Sequence, residues 1–290
     1  MLDAMTPPAP GDAGDTTERM NPAYYLSNRA DAFIYAAHLA TYDFARSFVA
    51  GRRVLDFGCG TGYGTHRIAD GCSSIVGVDI SVDAVTSAAA TFTAPNLQFE
   101  RIEPVELRPL PFDDQSFDVV LSFQVFEHLT EPDAYLREVR RVLAPGGTFI
   151  CVTPDRSTRL FPGQRPWNRF HVREYSQDEM AGCLRPYFAT VDVAGMTARA
   201  DLLDMELARN RKVRWLTYPV TFPRVPERVR TGGLDAIKAL QRRGRPRTAG
   251  SDGRTLDDWG FGPEDVSVFV TEGRSMNVVC VATCGGAGAT

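Results

Sequence analysis

Lysine is nearly missing: Lys212 and Lys238 are the only two among 32 basic residues, and arginine supplies the rest. That skew reads as the mark of a GC-rich genome rather than as selection for arginine chemistry. Long apolar runs are also missing. No stretch approaches the roughly 18 to 20 residues that a membrane span needs, and the opening MLDAMTPPAPGDAGDTTERMNP lacks the apolar region of a secretory signal. A cytoplasmic protein without a membrane span is expected. CxxC pairs are absent too. The six cysteines, Cys59, Cys72, Cys151, Cys183, Cys280 and Cys284, are scattered, several of them in apolar runs, so buried free thiols are expected rather than disulfides or a structural zinc. No internal repeat is visible.

What is present suits a globular chain. With 43% apolar and 23% charged residues, a wholly disordered or collagen-like polymer is excluded. A length of 290 residues favours one large domain with additions over two full domains. The formal charge of −4 hides an asymmetry: residues 199–254 hold 14 basic and 6 acidic side chains, against 18 and 30 elsewhere. That segment is expected to form an electrostatically separate surface.

Residues 1–20, rich in Pro, Gly, Ala, Asp and Thr, have too little apolar surface to repay ordering and are expected to be disordered. Over 21–49, Phe33, Ala36, Ala37, Ala40, Phe44 and Phe48 recur at helical spacing and predict an N-terminal helix whose stripe packs against a core. RRVLDFG, SIVGVDI, NLQFERI, FDVVLSF and GTFICVTP then read as strands alternating with helices, the signature of crossover units and a parallel sheet. Ser81 is placed to cap one helix, and Ser176 with Glu179 to form a capping box on another. Pro132 and Asp133 open a helix whose Leu136, Val139 and Val142 share a face. Residues 190–196 and 275–284 read as two further strands, the last of them reversed. The expected division is a core at 50–198, a basic substrate-selective insertion at 199–265 with helices near 201–212 and 233–243, and a final strand with its tail at 266–290.

The strongest local signal is Val54-Leu55-Asp56-Phe57-Gly58-Cys59-Gly60-Thr61-Gly62, a strand running into a glycine turn that opens a helix. Glycine lets the backbone lie against a ligand with no Cβ in the way. Seventeen residues past Gly62, the second strand ends in Asp79, where a carboxylate accepts hydrogen bonds from ribose hydroxyls in doubly wound nucleotide-binding folds. A nucleoside is therefore expected across the strand ends. The dinucleotide fingerprint is G-x-G-x-x-G with a pyrophosphate on the helix N-terminus. Here the loop is G-x-G-x-G with Asp56 before it, an acid that repels pyrophosphate and suits a cationic ligand group.

VLDFGCGTG, VGVDIS, LPFDDQSFDVVLSFQVFEHL and LREVRRVLAPGGTFICVTP, in that order, resemble the class I S-adenosylmethionine-dependent methyltransferases, especially the small-molecule branch that includes ubiquinone-biosynthesis and glycan-pathway enzymes. The resemblance spans about 50–195. It implies a Rossmann-like doubly wound α/β domain with a seven-stranded sheet, helices on both faces and a long insertion before the last strand. It further implies that Asp56, Gly58, Gly60 and Gly62 hold the methionine part of S-adenosylmethionine, Asp79 the ribose, Ile80 the adenine face, and Ile102 with Glu103 the adenine edge. Relatives often carry Asp-Ala where this chain has Glu103-Pro104.

By the same resemblance the fourth strand, ending at Ser122-Phe123, meets the transferable methyl group. Gln124, Glu127 and His128 follow directly, and His171 stands in NRFHVREYS. His171 suits a general base for a hydroxyl acceptor, while Glu127 and His128 either cap or brace the helix after the fourth strand or share in catalysis. Some relatives bind a divalent cation through E-x-x-E-H. Gln124 replaces the first Glu here, yet Glu127, His128 and His171 could still hold Mg²⁺. Tyr24, Tyr25 and Arg29 begin a segment that folds over the cofactor in relatives. The expected activity is O-methylation of a small molecule, with sugar or glycan, natural product and quinone precursor in descending order. The alternatives are RNA 2′-O-methylation, which the basic segment would serve, and non-catalytic cofactor binding; a nucleic-acid partner is not the first expectation.

Overall fold

β-branched runs bounded by Gly, Pro and Asp form the centre of the computed structural model, which describes residues 25–243 and 253–286. The strands are β1 (Arg53–Phe57), β2 (Ser74–Asp79), β3 (Leu97–Arg101), β4 (Phe117–Phe123), β5 (Leu143–Pro154), β6 (Thr190–Ala198), β7 (Val266–Val270) and β8 (Asn277–Thr283). They make one sheet in the order β3-β2-β1-β4-β5-β8-β6-β7. β1 pairs in parallel with β2 and β4, β2 with β3, and β4 with β5, so Phe57, Asp79 and Phe123 end neighbouring strands at one edge. β8 is antiparallel to both β5 and β6. The order reverses between β1 and β4, and the crevice at that switch point is where doubly wound sheets bind ligands.

The sheet has eight strands among the described residues, not the expected seven. The extra one is β7, which hydrogen-bonds antiparallel along the outer edge of β6. Residues 266–290 thus hold two strands, separated by a turn at Gly273. A second extension lies in the insertion. α7 (Ala200–Thr221) runs well past the expected end at 212, with Pro219 inside it, and α8 (Glu227–Arg243) begins before 233.

The other helices follow their local signals: α1 (Arg29–Val49), α2 (Tyr63–Ala69), α3 (Val82–Thr91), α4 (Pro132–Val142), α5 (Arg156–Arg159) and α6 (Gln177–Leu184). Ser81 accepts from the Ala84 N–H, and Ser176 and Glu179 form the reciprocal capping box. Leu136, Val139 and Val142 bury one side of α4. One core lies under α1 and α2, built on Phe33, Val54, Ile68 and Ile75; the other lies under α4 and α6, built on Leu55, Phe126, Tyr135 and Phe149. All six cysteines are free thiols, five of them buried. The segment expected to be disordered at 1–20, Tyr24 and residues 244–252 lie outside the described residues.

Candidate active site

The turn after β1 leaves a bare backbone shelf. Gly58 has φ +91° and an added Cβ there would lie 2.3 Å from Val125, whereas at Gly60, with φ +55°, an added Cβ would meet nothing within 4 Å. The first glycine is forced by packing; the second leaves open space for a ligand. Asp79 at the end of β2 braces the shelf by accepting from the Gly60 N–H at 3.0 Å and from the Ser81 N–H at 2.8 Å. Ile80 beside it is 56% exposed, an apolar face with no protein cover. Ile102 buries its side chain in the second core while its N–H donates to the Asp79 carbonyl. Glu103 lies at the surface, paired with Arg101. Phe123 is buried edge-on against Tyr42, ring centroids 4.9 Å apart.

Asp56 is 1% exposed; Tyr42 and Thr65 donate to its Oδ2 at 3.1 and 2.6 Å, while its buried Oδ1 has no partner among the described residues. Burial pushes its carboxyl up to about 6 against the downward pull of those two hydroxyls. An orphaned buried carboxylate oxygen beneath a bare glycine backbone fits a ligand carrying a cationic amino group, the donor set that the methionine end of S-adenosylmethionine presents.

Past β4 the chain turns through Gln124 with φ +57°, a left-handed conformation that a non-glycine residue adopts at some cost. That turn sends Glu127 and His128 inward. The backbone carbonyl of Glu127 accepts from the N–H groups of Val172 and Arg173, and His128 Nδ1 donates to the Phe170 carbonyl, so the loop after β5 is stitched to the turn after β4. His171 is brought against both: the ligand atoms of Glu127, His128 and His171 lie within 4.8 Å of one another. His171 Nδ1 donates to Glu174 at 2.8 Å, and Asn168 donates to Nε2 at 2.8 Å. These partners assign the proton of each ring to Nδ1 and the lone pair to Nε2. Glu127 accepts from Thr153 at 2.9 Å; its burial raises its carboxyl above the usual range, opposed by His171 and His128. Burial acts likewise on Glu174, but Arg159, 3.0 Å away, and His171 outweigh it and hold that carboxyl below the usual range.

The cluster forms one wall of a cavity of about 230 Å³. Asp31 from α1 and Glu206 and Arg209 from α7 also line it, with the Arg209 guanidinium bidentate on Glu206 at 2.8 and 2.7 Å. Trp167 completes the wall, with Arg159 stacked 4.2 Å above its ring. Tyr25, ahead of α1, and Phe33 and His38 on it also line the cavity, and Arg29 of α1 is tied to Asp201 of α7. The insertion thus reaches the cavity through Glu206 and Arg209, which the sequence did not single out. Their i,i+3 spacing on a charged helix looks like any surface ion pair. Much of the local positive charge is internally paired, as in Arg199 with Asp201 and Asp265, and Arg230 with Glu227.

A partly parallel sheet with a glycine shelf after β1, an acid closing β2 and a cavity past β4 defines a class that binds a nucleoside-bearing cofactor beside a separate acceptor. A family model for a methyltransferase domain matches residues 55–151. The "Probable S-adenosylmethionine-dependent methyltransferase" of Mycolicibacterium smegmatis is 34% identical over 193 residues, 66% of this chain and 71% of that one. The "Ubiquinone biosynthesis O-methyltransferase" of Maricaulis maris is 32% identical over 111 residues, 38% of this chain and 44% of the other. Among solved structures, the cyclase SpnF has a TM-score of 0.53 at 18% identity, covering 87% of this chain and 83% of its own, a likeness of fold alone. The chain belongs to the class I S-adenosylmethionine-dependent methyltransferases, and its cofactor is S-adenosylmethionine.

Proposed function

We propose that this methyltransferase acts on oxygen: a hydroxyl of a small polar acceptor, with a sugar or glycan first, a natural product second and a quinone precursor third. The observation that supports the reading is the His171–Glu174 pair, buried beside Glu127 and His128 on the cavity wall. A hydroxyl must lose its proton as it attacks, whereas an amine can arrive neutral and needs no such machinery. The cavity walls offer carboxylates, two arginines, three amides and a tryptophan ring, which suit a neutral polyol. Asp31, Glu127 and Glu206 on those walls disfavour a phosphate-rich RNA acceptor.

S-adenosylmethionine, when bound, supplies a methyl group already activated by its sulfonium. We assign Asp56, Gly58, Gly60 and Gly62 to its methionine part, Asp79 to the ribose hydroxyls, and Ile80, Ile102 and Glu103 to the adenine. Phe123 and Tyr42 close the side facing the acceptor and exclude water. His171 takes the hydroxyl proton at Nε2 once Asn168 yields its hydrogen bond to the acceptor. Glu174 keeps the other ring proton on Nδ1 and stabilises the imidazolium.

A second reading is favoured by the convergence of Glu127, His128 and His171: they would hold a divalent cation such as Mg²⁺, whose charge acidifies the hydroxyl. Purified protein with labelled S-adenosylmethionine and a panel of saccharides, phenols, amines and short RNAs, with Mg²⁺ or after exhaustive chelation, tests both. Label on a saccharide or phenol hydroxyl that survives chelation supports His171 as base; label lost on chelation and restored by Mg²⁺ supports the cation. Transfer only to amines, or only to RNA with a steep salt dependence, sinks the small-molecule oxygen reading.

A further inference from the structure

The insertion carries a surface that the reaction does not use. At the tip of the α7–α8 hairpin Trp215, Leu216, Phe222 and Val229 are 63%, 46%, 40% and 56% exposed. Trp215 lies on α7 and Phe222 directly follows its last residue, Thr221. Their rings flank Phe161 and Tyr218, with the Phe161 and Trp215 centroids 4.6 Å apart, so the patch is a supported platform. Arg211, Lys212, Arg224 and Arg228 are exposed around it, and none pairs with a carboxylate among the described residues. The nearby acids are already engaged: Glu227 by Arg165 and Arg230, Asp235 by Arg169.

We propose that this hairpin tip docks the enzyme onto an anionic lipid surface. Aromatic and aliphatic side chains encircled by unpaired cations are what an interfacial anchor needs: the apolar groups enter the headgroup boundary and the cations meet anionic lipid. Tryptophan suits that boundary, being apolar with one polar edge. The charge argues against the other occupants. A second copy on the same face would oppose cations to cations, and a nucleic acid would leave Leu216 and Val229 in water.

The hairpin is also joined to the cavity. Gln164 donates to Thr221 and to the Arg214 carbonyl, Arg230 donates to the Pro166 carbonyl, and Trp167 and Asn168 of that same loop line the cavity. The docked face would therefore sit beside the acceptor's entrance, and the acceptor class would be one carried at a membrane interface, a polar headgroup on a lipid. The docking itself does not depend on which atom is methylated.

The test is sedimentation of the full-length protein with vesicles of phosphatidylcholine alone or mixed with phosphatidylglycerol, with indole emission read in parallel. Expected is binding to the anionic vesicles, weakened by salt, with a blue shift that is absent in Trp215→Phe. Leu216→Glu with Val229→Glu, both at exposed positions, should lower partitioning more than about tenfold. Arg211→Glu with Lys212→Glu should lower it by about fivefold or more for each cation lost. Melting curves and S-adenosylmethionine binding equal to wild type keep a folding defect from mimicking the result. Three outcomes overturn the proposal: no sedimentation with either vesicle, binding unchanged in both double variants, or self-association that Leu216→Glu with Val229→Glu abolishes.

Discussion

Glu174 accepts a hydrogen bond from Nδ1 of His171 at 2.8 Å while its other oxygen accepts from Nε of Arg159 at 3.0 Å. The carboxylate thus ties the candidate base to a buried cation. Glu174→Gln should leave Arg159 buried without its counter-charge, costing about 3 to 5 kcal/mol of stability, read as a fall in the denaturant midpoint. Surviving enzyme should show kcat reduced with KM for S-adenosylmethionine unchanged. His171→Ala should fold and bind cofactor normally, yet lose about 10²-fold or more in turnover. Equal turnover in that variant would remove His171 from the chemistry.

The same pair sets an acid limit. Because the folded protein holds the Glu174 carboxyl below its ordinary value of 4.5, the folded state binds fewer protons than the unfolded one as pH falls through that region. The stability it contributes is complete above about 4.5 and is lost as pH drops through the folded-state value. Acid unfolding followed by tryptophan fluorescence should therefore be shallower in Glu174→Gln than in wild type.

Asp56 has the opposite sign. Its carboxyl is raised to about 6 in the folded state, so the folded protein holds a proton that the unfolded chain has already released, and this residue's contribution to stability declines from about pH 4 to pH 6. Asp56→Asn should raise the melting temperature of the cofactor-free protein at neutral pH and flatten its pH dependence. It should also weaken S-adenosylmethionine binding, measured by calorimetry. Unchanged affinity would free Asp56 from any part in the cofactor site.

Gly58 and Gly60 separate packing from binding. Gly58→Ala should destabilise the fold by several kcal/mol, because its Cβ would overlap Val125. Gly60→Ala meets open space, so its melting temperature should fall only by the roughly 1 kcal/mol of left-handed strain, while cofactor affinity falls more than tenfold. Thermal melts with and without cofactor distinguish the two.

Glu206 and Arg209 line the cavity in which the proposed acceptor would bind. Glu206→Gln should raise the acceptor KM about tenfold and leave the cofactor Kd alone; parallel kinetics against both substrates would show it. A matching rise in cofactor Kd would place α7 at the wrong end of the site.

Much of this architecture was legible in local sequence. Asp79 closing β2, the capping box at Ser176 and the apolar face of α4 are each set by residues a turn or a strand apart. The structure brings Glu127, His128 and His171 together, as their positions after β4 and β5 implied. Contacts between distant segments were not legible. Tyr42 reaches Asp56 from a helix that reads only as an apolar stripe, and Arg159 meets Glu174 through a turn no periodicity announces. Nor does the sequence show that Ile102, just past β3, is buried in the second core. β7 was folded into a tail because VSVFV is short and its partner β6 lies far upstream in sequence.

β8 lies between β5 and β6, although β6 is made long before it. While the chain emerges from the ribosome, β6 and β7 have no hydrogen-bonded route to the sheet. Val191 and Val193 find their strand partners, Ala282 and Cys280, only when residues 277–283 have been made. The sheet edge at β5 is therefore completed only after the whole insertion has been synthesised.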